Sequence, residues 1–450
     1  MRRAPALAFA LISALSVLHH AAAKEPATAD IPTALQEYVT ADDDSYSYEE
    51  LGEEQIDGCT VHKLSLTSQT WQGIVWKHAL YAYVPADVRH EDIALLFITG
   101  GKIGGQPSEG DMKMGAGLAR LAGVPVVFLH QVPNQPLLEG RVEDDLISET
   151  FLRYLETKDA SWPLLFPMVK SAVSAMTAIQ DFGQKKYGVD VERFVVTGGS
   201  KRGWTTWLTA AADDRVAGIA PIVIDTLNFE PQMKHQLEAW GEFSEQIADY
   251  TTKGLVDVMI KQPEVPLWRW VDPYTYRSKL SLPKLIINGT NDRYWTVDAL
   301  SLYWNDLVGE KHARYVPNAG HDLGDGKEAA LATLAAFTEH VAEGKPMPDL
   351  KWSFDESDKG DELRLTISAT PAPKSVRVWV AKSGTRDFRD AEWKATELTA
   401  SHEAGGNGDG HDTFAGAAAK PESGYIAVFG EATFSDGPYE YNLSTLLRQE

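Results

Sequence analysis

Short, strongly apolar runs recur along the first three quarters of the chain, and amphipathic stretches separate several of them. The runs that are long enough for buried strands are 81–85, 95–98, 124–129, 194–197, 219–224, 285–288 and 314–316. Between them, 168–182 has the apolar spacing of a helix. Because strands that alternate with helices are typical of a parallel arrangement, the pattern predicts an α/β fold with a mostly parallel sheet.

The segment from about 228 to 279 departs from this alternation. It is longer than an ordinary connection between a strand and a helix, and it contains Trp240, Trp268 and Trp270. We predict that it is a cap inserted over the sheet. Its aromatic side chains have two interpretations, since they either line a substrate pocket, with Trp270 as a substrate-binding residue, or form ordinary hydrophobic core.

A second change follows Lys345-Pro346-Met347-Pro348, which has the composition of a linker. Beyond it, the runs 363–367, 376–380 and 425–429 alternate apolar and polar residues, and 405–410 is a glycine-rich loop. This pattern predicts a C-terminal immunoglobulin-like β-sandwich over residues 349–450. We expect this domain to serve in packing or docking, with carbohydrate binding through Trp379 and Trp393 as the alternative.

The N-terminus has the pattern of an export signal. Arg2 and Arg3 precede an apolar stretch over 6–18, and Ala21-Ala22-Ala23 forms a small-residue cleavage site. The sequence therefore predicts a signal peptide over residues 1–23 and a mature protein that is periplasmic or extracellular. No later apolar run approaches the ~18 residues that a membrane-spanning helix requires.

Composition narrows the function. The 450 residues are 44% hydrophobic, which is enough for a sizeable core and favours two domains. The 64 acidic and 42 basic residues give a net charge of −22, which disfavours nucleic acids and anionic membranes as partners. Cys59 is the single cysteine, so the chain forms no internal disulfide. His402 and His411 lack neighbouring ligands, and we predict neither a metal site nor a cofactor.

Three polar residues each follow one of the predicted strands. Ser200 comes after 194–197 and two glycines, and a helical stretch follows it; Asp292 comes after 285–288, and His321 after 314–316. A serine hydroxyl becomes nucleophilic when a base removes its proton and a third group orients that base. The order serine, acid, histidine is that of α/β-hydrolases. We predict a catalytic triad of Ser200, Asp292 and His321 within an α/β-hydrolase domain over residues 24–345.

The turn at Ser200 departs from the usual motif, and Asp292 and His321 each have a simpler interpretation. The glycine after the serine comes one residue later than in G-x-S-x-G, and Arg202 occupies its place. Asp292 could only cap the following segment, in which case Asp298 is the nearest replacement acid. His321 could be a core histidine, although its glycine-rich surroundings indicate a loop.

An acyl-transfer enzyme also needs donors for the oxyanion. We predict that the amide of Lys201 is one donor and that Gly101 or Lys102, in the glycine-rich loop after 95–98, supplies the other. The side chains of Lys201 and Arg202 have two interpretations. They bind a substrate anion, which makes Arg202 a substrate-binding candidate, or they form salt bridges beneath the sheet.

The chain resembles the PhoPQ-activated pathogenicity-related proteins, also called the autocrine proliferation repressor-like family. The resemblance covers nearly the whole mature chain and rests on Gly199-Ser200-Lys201-Arg202-Gly203-Trp204, Asp272-Pro273-Tyr274 and the segments around Asp292 and His321. It implies an α/β-hydrolase-like fold with the triad named above, and for some relatives it implies an exopeptidase-like activity. Asn291 and Arg293-Tyr294-Trp295 differ from the residues expected beside the acid.

These observations predict a secreted serine hydrolase that cleaves an ester or amide (peptide) bond of a small molecule or peptide through an acyl-enzyme on Ser200. Two alternatives remain open. One is a carbohydrate esterase acting on a uronic acid, whose carboxylate Lys201 would meet. The other is a non-catalytic secreted signalling or virulence-related protein on a hydrolase scaffold. The sequence identifies neither the substrate nor the oligomeric state.

Overall fold

The structure is a computed structural model that describes residues 31–403, 411–436 and 439–450. The predicted signal peptide 1–23 and the predicted glycine-rich loop 405–410 lie outside the described residues. From Pro32 to Glu450 the chain forms one compact unit. None of the helices in the described ranges combines the length and the apolar character needed to cross a bilayer.

The strands of the described residues are β1 (Ser47–Ile56), β2 (Cys59–Trp71), β3 (Ile74–Pro85), β4 (Ile93–Ile98), β5 (Val126–Leu129), β6 (Arg193–Gly199), β7 (Val216–Ile222), β8 (Lys284–Gly289), β9 (Lys311–Val316), β10 (Asp349–Glu356), β11 (Glu362–Thr370), β12 (Ser375–Ser383), β13 (Lys394–Leu398), β14 (Ala400–Glu403), β15 (His411–Ala419), β16 (Tyr425–Asp436), β17 (Tyr439–Ser444) and β18 (Arg448–Gln449). The α-helices are α1 (Ala34–Thr40), α2 (Glu109–Ala122), α3 (Glu143–Thr157), α4 (Leu165–Tyr187), α5 (Lys201–Ala212), α6 (Phe229–Trp240), α7 (Ala248–Thr251), α8 (Leu255–Lys261), α9 (Pro266–Val271) and α10 (Lys327–Glu343). Short 3-10 helices cover Glu245–Ile247, Pro273–Lys279, Ala299–Leu302, Trp304–Asp306 and Gly324–Gly326.

The central sheet contains six neighbouring parallel strands in the order β5-β4-β6-β7-β8-β9. Antiparallel strands extend it on both sides, with β3, β2 and β1 beyond β5 and with β17, β16, β12 and β13 beyond β9. All seven apolar runs singled out in the sequence overlap strands of this sheet. The prediction of a mixed α/β fold with a mostly parallel sheet is confirmed.

Helices cover both faces of the parallel strands, which explains why these strands are apolar without interruption. Leu95 and Val195 belong to the core beneath α2 and α10. Their chain neighbours Leu96 and Val196 are equally buried, and by the alternation of a strand they face the opposite side, where α4 and α5 pack. Parallel strands covered on both faces have no solvent-facing positions to fill with polar residues.

The predicted cap lies between β7 and β8 and consists of α6 to α9 with two short 3-10 helices. Asp272 joins its two ends, because its carboxylate accepts hydrogen bonds from the amides of Asn228 (3.2 Å), Phe229 (3.0 Å) and Tyr274 (2.9 Å). Burial raises the pKa of Asp272 to about 6, against the effect of these hydrogen bonds. The two ends of the cap are thus joined through a buried polar group.

The C-terminal strands form two antiparallel layers. One layer, β17-β16-β12-β13, continues the central sheet through the pairing of Ser444 with Ala313, and the other is β10-β11-β15-β14. The layers pack closely, since a Cβ added to Gly430 would lie 2.2 Å from Ile367 Cδ1. The segment 345–348 therefore connects parts of one compact unit, and its Met347 is buried.

Candidate active site

Ser200 occupies the sharp turn between β6 and α5. Its backbone has φ 58° and ψ −125°, a conformation that is costly for a residue with a side chain. The turn is fixed by two backbone hydrogen bonds, from the Ser200 amide to the Ile222 carbonyl (2.8 Å) and from the Trp204 amide to the Ser200 carbonyl (2.9 Å). A strained strand-to-helix turn of this kind presents the nucleophilic serine of α/β-hydrolases at the edge of the sheet.

The late glycine of this turn has a steric explanation. A Cβ on Gly203 would lie 2.8 Å from the Gly198 carbonyl oxygen and 2.7 Å from Ile224 Cγ2. Gly198 is equally restricted, because its Cβ would lie 2.9 Å from the backbone of Arg202. The first turn of α5 therefore touches β6 and β7 most closely at position 203, which leaves position 202 free to carry a side chain.

Asp292 and His321 follow β8 and β9, two strands that end at the same edge of the sheet as β6. His321 Nδ1 lies 2.8 Å from Asp292 Oδ2, and the other carboxylate oxygen accepts a hydrogen bond from the Tyr294 amide at 2.9 Å. Asp292 is 5% exposed, and the side chain of His321 is 29% exposed. The turn-capping interpretation of Asp292 and its pairing with a histidine are thus both realised.

The replacement acid considered for Asp292 is engaged elsewhere. Asp298 lies 2.7 Å from His235 Nε2, and this contact raises the pKa of His235.

The Tyr294 ring stacks on His321 with the ring centroids 4.2 Å apart. Two sides of the His321 ring are therefore held by neighbours on the same loop.

His321 Nε2 has no hydrogen-bond partner among the described residues. Because Asp292 engages Nδ1, Nε2 is the ring nitrogen that can take up and return a proton. Ser200 lines a cavity together with Tyr294, the residue that stacks on His321. The structure brings the three predicted triad residues to one edge of the sheet, at the ends of β6, β8 and β9, with Asp292 and His321 in contact and no hydrogen bond between His321 and Ser200.

Lys201 and Arg202 form ion pairs with the start of α3. Arg202 makes two hydrogen bonds of 2.7 Å to the Glu143 carboxylate, and Lys201 Nζ donates to Asp144 Oδ2 at 2.8 Å. Burial by itself would raise the pKa of Glu143, but the hydrogen bonds and charge of Arg202 outweigh it and bring the pKa to about 2.

This arrangement favours the salt-bridge interpretation of Arg202 over its assignment as a substrate-binding residue, which stays a prediction. Its guanidinium packs beneath the turn, where a Cβ on Gly100 would lie 2.5 Å from its Nη2 atom, and Arg202 is absent from the cavity wall. The salt-bridge interpretation accounts for the position of Arg202. Lys201 differs from it, because its side chain lines the cavity beside Ser200 while pairing with Asp144.

The cavity at Ser200 has an empty volume of about 730 Å³, part of it open to solvent, and lies between the sheet edge and the cap. Trp268 lines it, whereas Trp270 packs against Tyr154 and Phe166 with centroid distances of 5.0 and 6.1 Å. The assignment of Trp270 as substrate-binding stays a prediction, and its packing favours the hydrophobic-core interpretation instead. In α9 a shift of two residues turns a side chain to a different face of the helix.

The two predicted oxyanion donors differ in their placement. The Lys201 amide begins α5 directly after Ser200, so it has no carbonyl partner within the helix and points along the helix axis at its positive end. Gly101 and Lys102 lie in a loop joined to Gln135 by the 2.7 Å hydrogen bond from the Ile103 amide, and neither lines the cavity. The second donor remains a prediction.

Several polar residues near the triad carry no signal in the sequence. Asp225 follows β7 and is fully buried, accepting hydrogen bonds from Tyr303 Oη (2.6 Å) and Asn288 Nδ2 (2.9 Å). Burial, together with the charges of Asp292 and Asp298, raises the pKa of Asp225 to about 7. The sequence pattern after β7 contains an acid, but nothing local distinguishes it from a turn residue.

Among the described residues, one group has the ligand spacing of a metal site: Glu50, Glu53 and His62. The ammonium of Lys186 lies 2.9 Å from Glu50 and 3.1 Å from Glu53, and His62 also contacts Tyr187. A cation is therefore already paired with both carboxylates. The group lies on β1, β2 and the end of α4 and has no part in the site at Ser200.

A model of the PhoPQ-activated pathogenicity-related protein family matches residues 35–389. Autocrine proliferation repressor protein A of Dictyostelium discoideum is 34% identical over 377 residues, which cover 79% of this chain and 76% of that protein.

Two solved structures are more distant. Acetyl xylan esterase 1 from Thermoanaerobacterium sp. aligns with a TM-score of 0.48 at 16% identity, over 68% of this chain and 91% of its own. A glucuronoyl esterase from Solibacter usitatus aligns with a TM-score of 0.43 at 14% identity, also over 68% and 91%. Likeness of this degree says nothing of substrate or mechanism.

Proposed function

The chain belongs to the PhoPQ-activated pathogenicity-related protein family, and we propose that it is a serine hydrolase of the α/β-hydrolase fold. It cleaves an ester or amide bond, with peptides among the possible substrates, through an acyl-enzyme on Ser200. The observation that carries this proposal is the Asp292–His321 contact at the sheet edge where the strained Ser200 turn lies. A buried carboxylate on Nδ1 and an unpartnered Nε2 are what a general-base histidine needs.

In the proposed mechanism, Ser200 Oγ attacks the substrate carbonyl carbon and its proton passes to His321 Nε2. The negative charge that develops on the carbonyl oxygen is stabilised by the Lys201 amide at the start of α5. His321 then gives the proton to the leaving alcohol or amine, and the carbonyl re-forms as the acyl-enzyme. A water molecule repeats the sequence, losing its proton to His321, and releases the acid and Ser200.

Asp292 has two effects in this mechanism. It holds His321 in the tautomer with the proton on Nδ1, and its charge stabilises the imidazolium that forms during each proton transfer. The low exposure of Asp292 strengthens this interaction, because little water screens it.

Among the alternatives, hydrolysis of a uronic acid ester has less support. Such a substrate would require a cation for its carboxylate, and Lys201 already lies 2.8 Å from Asp144 and 3.4 Å from Glu143. The cavity wall is also poor in the polar groups that bind sugar hydroxyls. A non-catalytic role on the same scaffold is separated from ours by the following experiment.

The test is labelling of the purified protein with a fluorophosphonate, together with hydrolysis of p-nitrophenyl esters. We expect labelling and turnover by the wild type, and a loss of turnover by at least ~10⁴-fold in Ser200→Ala without loss of folding. Ser301→Ala, an exposed serine at the cap side of the sheet, is the matched control and retains both. Equal turnover in wild type and Ser200→Ala would refute the assignment, and an unlabelled, inactive wild type would favour the non-catalytic role.

We further propose that residues 1–23 are a signal peptide and that the mature protein acts in the periplasm or outside the cell. The C-terminal layers, over 349–450, are proposed to be an immunoglobulin-like sandwich. N-terminal sequencing of the secreted protein tests the first proposal, since it should begin at Lys24.

A further inference from the structure

The wall of the cavity beside Ser200 is almost entirely apolar. Seventeen residues line it, and only Asp144 and Lys201 are charged. The cap supplies much of the surface, with Phe229 and Met233 from α6, Met259 from α8 and Trp268 from α9. A cavity of this composition gains free energy by taking up an apolar group and loses it by taking up a hydrated one.

The two charged residues neutralise each other. Asp144 Oδ2 accepts from Lys201 at 2.8 Å, and Asp144 Oδ1 accepts from Tyr250 Oη at 2.9 Å. Tyr294 Oη lies 3.5 Å from the same carboxylate. Because both carboxylate oxygens and the ammonium are engaged, the cavity offers no free charge to a substrate ammonium or carboxylate.

The position of His321 indicates which half of the substrate enters the cavity. The leaving group must lie beside His321 Nε2 to receive its proton. His321 is not part of the cavity wall, and the Tyr294 ring, which stacks on it, forms the wall instead. Ser200 and Lys201, which hold the carbonyl carbon and its oxygen in the proposed mechanism, do line the cavity.

From this arrangement we infer that the cavity is the acyl-binding site and that the substrates are esters or amides of bulky, uncharged, apolar acyl groups, such as medium-chain aliphatic or arylalkyl acids. The inference rests on the proposed function. The ion pair of Asp144 and Lys201, which has no net charge, forms the part of the wall beneath the acyl group. The cap residues surround the end of the acyl group that lies farthest from Ser200.

The experiment measures kcat/KM for p-nitrophenyl esters that share one leaving group and differ in the acyl chain, from acetate to octanoate. Transfer of methylene groups into an apolar site predicts a rise of about fourfold per added methylene until the cavity is filled. The succinate monoester and the γ-aminobutyrate ester resemble the butyrate ester in length but carry a charge. We expect each to react at least tenfold more slowly than butyrate.

The outcomes separate the inference from the function it rests on. A preference for acetate, or equal rates for charged and uncharged acyl groups, in an enzyme that is labelled at Ser200 refutes the acyl site alone. Absence of both labelling and turnover refutes the proposed function, and the inference with it.

Variants of the cap provide a second test. Met233→Trp reduces the space in the cavity and should lower the octanoate-to-acetate ratio of kcat/KM at least tenfold. Leu237→Trp, at an exposed position one turn further along the same helix that does not line the cavity, introduces the same ring outside it and should leave the ratio unchanged. Met259→Ala enlarges the cavity, and we expect it to shift the best substrate to a longer acyl chain, which also tests the inference if Met233→Trp does not fold. Ratios that do not change in the folded cavity variants would overturn it.

Discussion

Replacement of Asn291 by alanine should impair catalysis, because Asn291 connects Asp292, the acid of the proposed triad, to the C-terminal region. Its side-chain amide donates to the carbonyls of Ala391 at 2.8 Å and Arg389 at 3.2 Å. Both belong to a loop of the C-terminal region, residues 387–393, which we call the latch loop. Asn291 directly precedes Asp292, so the latch loop holds the backbone from which the acid extends.

The same loop contacts the other elements of the site. Asn318, three residues before His321, accepts from the Trp393 amide at 2.7 Å and donates to the Trp393 carbonyl at 3.0 Å. Arg389 reaches the cap, where its guanidinium lies 4.1 Å from the ring centroid of Trp240 and 2.8 Å from Glu245. The latch loop therefore contacts the loop that carries Asp292, the loop that carries His321, and the cap.

The magnitude follows from the hydrogen bonds lost. Asn291→Ala removes the two hydrogen bonds to the carbonyls of Ala391 and Arg389 and the one that Asn291 Oδ1 accepts from Thr290 Oγ1 at 2.8 Å. At ~0.5–1.5 kcal/mol each, we expect a loss of about 1.5–4.5 kcal/mol in the free energy of unfolding. A displacement of Asp292 by a fraction of an ångström to one ångström would lower kcat by about ten- to a hundredfold. KM should change little, since Asn291 does not line the cavity.

The assay is steady-state hydrolysis of one p-nitrophenyl ester well below the melting temperature, with urea unfolding measured in parallel. The matched control is Asp390→Asn, which removes only the ion pair of an exposed latch-loop side chain with Arg293. Such surface pairs contribute ~0–1 kcal/mol, and we expect its kcat to be that of the wild type. A variant Asn291→Ala that loses stability but keeps its kcat would show that the latch loop has no role in positioning the acid.

Three further predictions concern the acid, the turn and a buried carboxyl group. Asp292→Asn should lower kcat by ~10⁴-fold in the ester assay, because an asparagine favours the wrong tautomer of His321. Asp298 pairs with His235 instead, so Asp298→Asn should change kcat less than threefold. Gly203→Ala should lower the free energy of unfolding, measured by thermal melts, by ~1–3 kcal/mol, because the new Cβ would collide with backbone atoms. Gly199→Ala has open space around its Cβ and should have a much smaller effect in the same measurement. Because the pKa of Asp225 rises to about 7 on folding, the folded state holds an extra proton between about pH 4 and 7, and stability should fall with rising pH across that window. Urea unfolding at pH 5 and pH 8 should show a smaller fall in Asp225→Asn, and an identical fall would contradict the raised pKa.

The sequence predicted the sheet well because its strands are determined locally. The runs 194–197 and 285–288 are apolar without interruption, as parallel strands covered on both faces must be, and they became β6 and β8. The turn at Ser200 was also readable, since two glycines before a polar residue and a helix after it define a strand-to-helix turn. The sequence also showed that the glycine after Ser200 comes one residue late, at position 203. It did not show why, since the cause is the close contact of position 203 with Gly198 and Ile224.

The sequence predicted the directions of side chains less well than the positions of the strands. Trp268 and Trp270 have the same residue type and lie two positions apart, and only the packing of α9 distinguishes the one in the cavity from the one against Tyr154. The sequence left the role of Lys201 and Arg202 open for the same reason, because their partners Asp144 and Glu143 lie 57 and 59 residues away.

The sequence by itself determined the order of strands and helices, the turn at Ser200 and the candidate set of serine, acid and histidine, because each depends on neighbours along the chain. Only the tertiary structure decided which charges are neutralised beneath the turn, which ring lines the cavity and that the latch loop reaches Asn291 and Asn318. These features are contacts between residues far apart in the chain, and packing of the whole unit selects them from many arrangements that the local pattern permits equally.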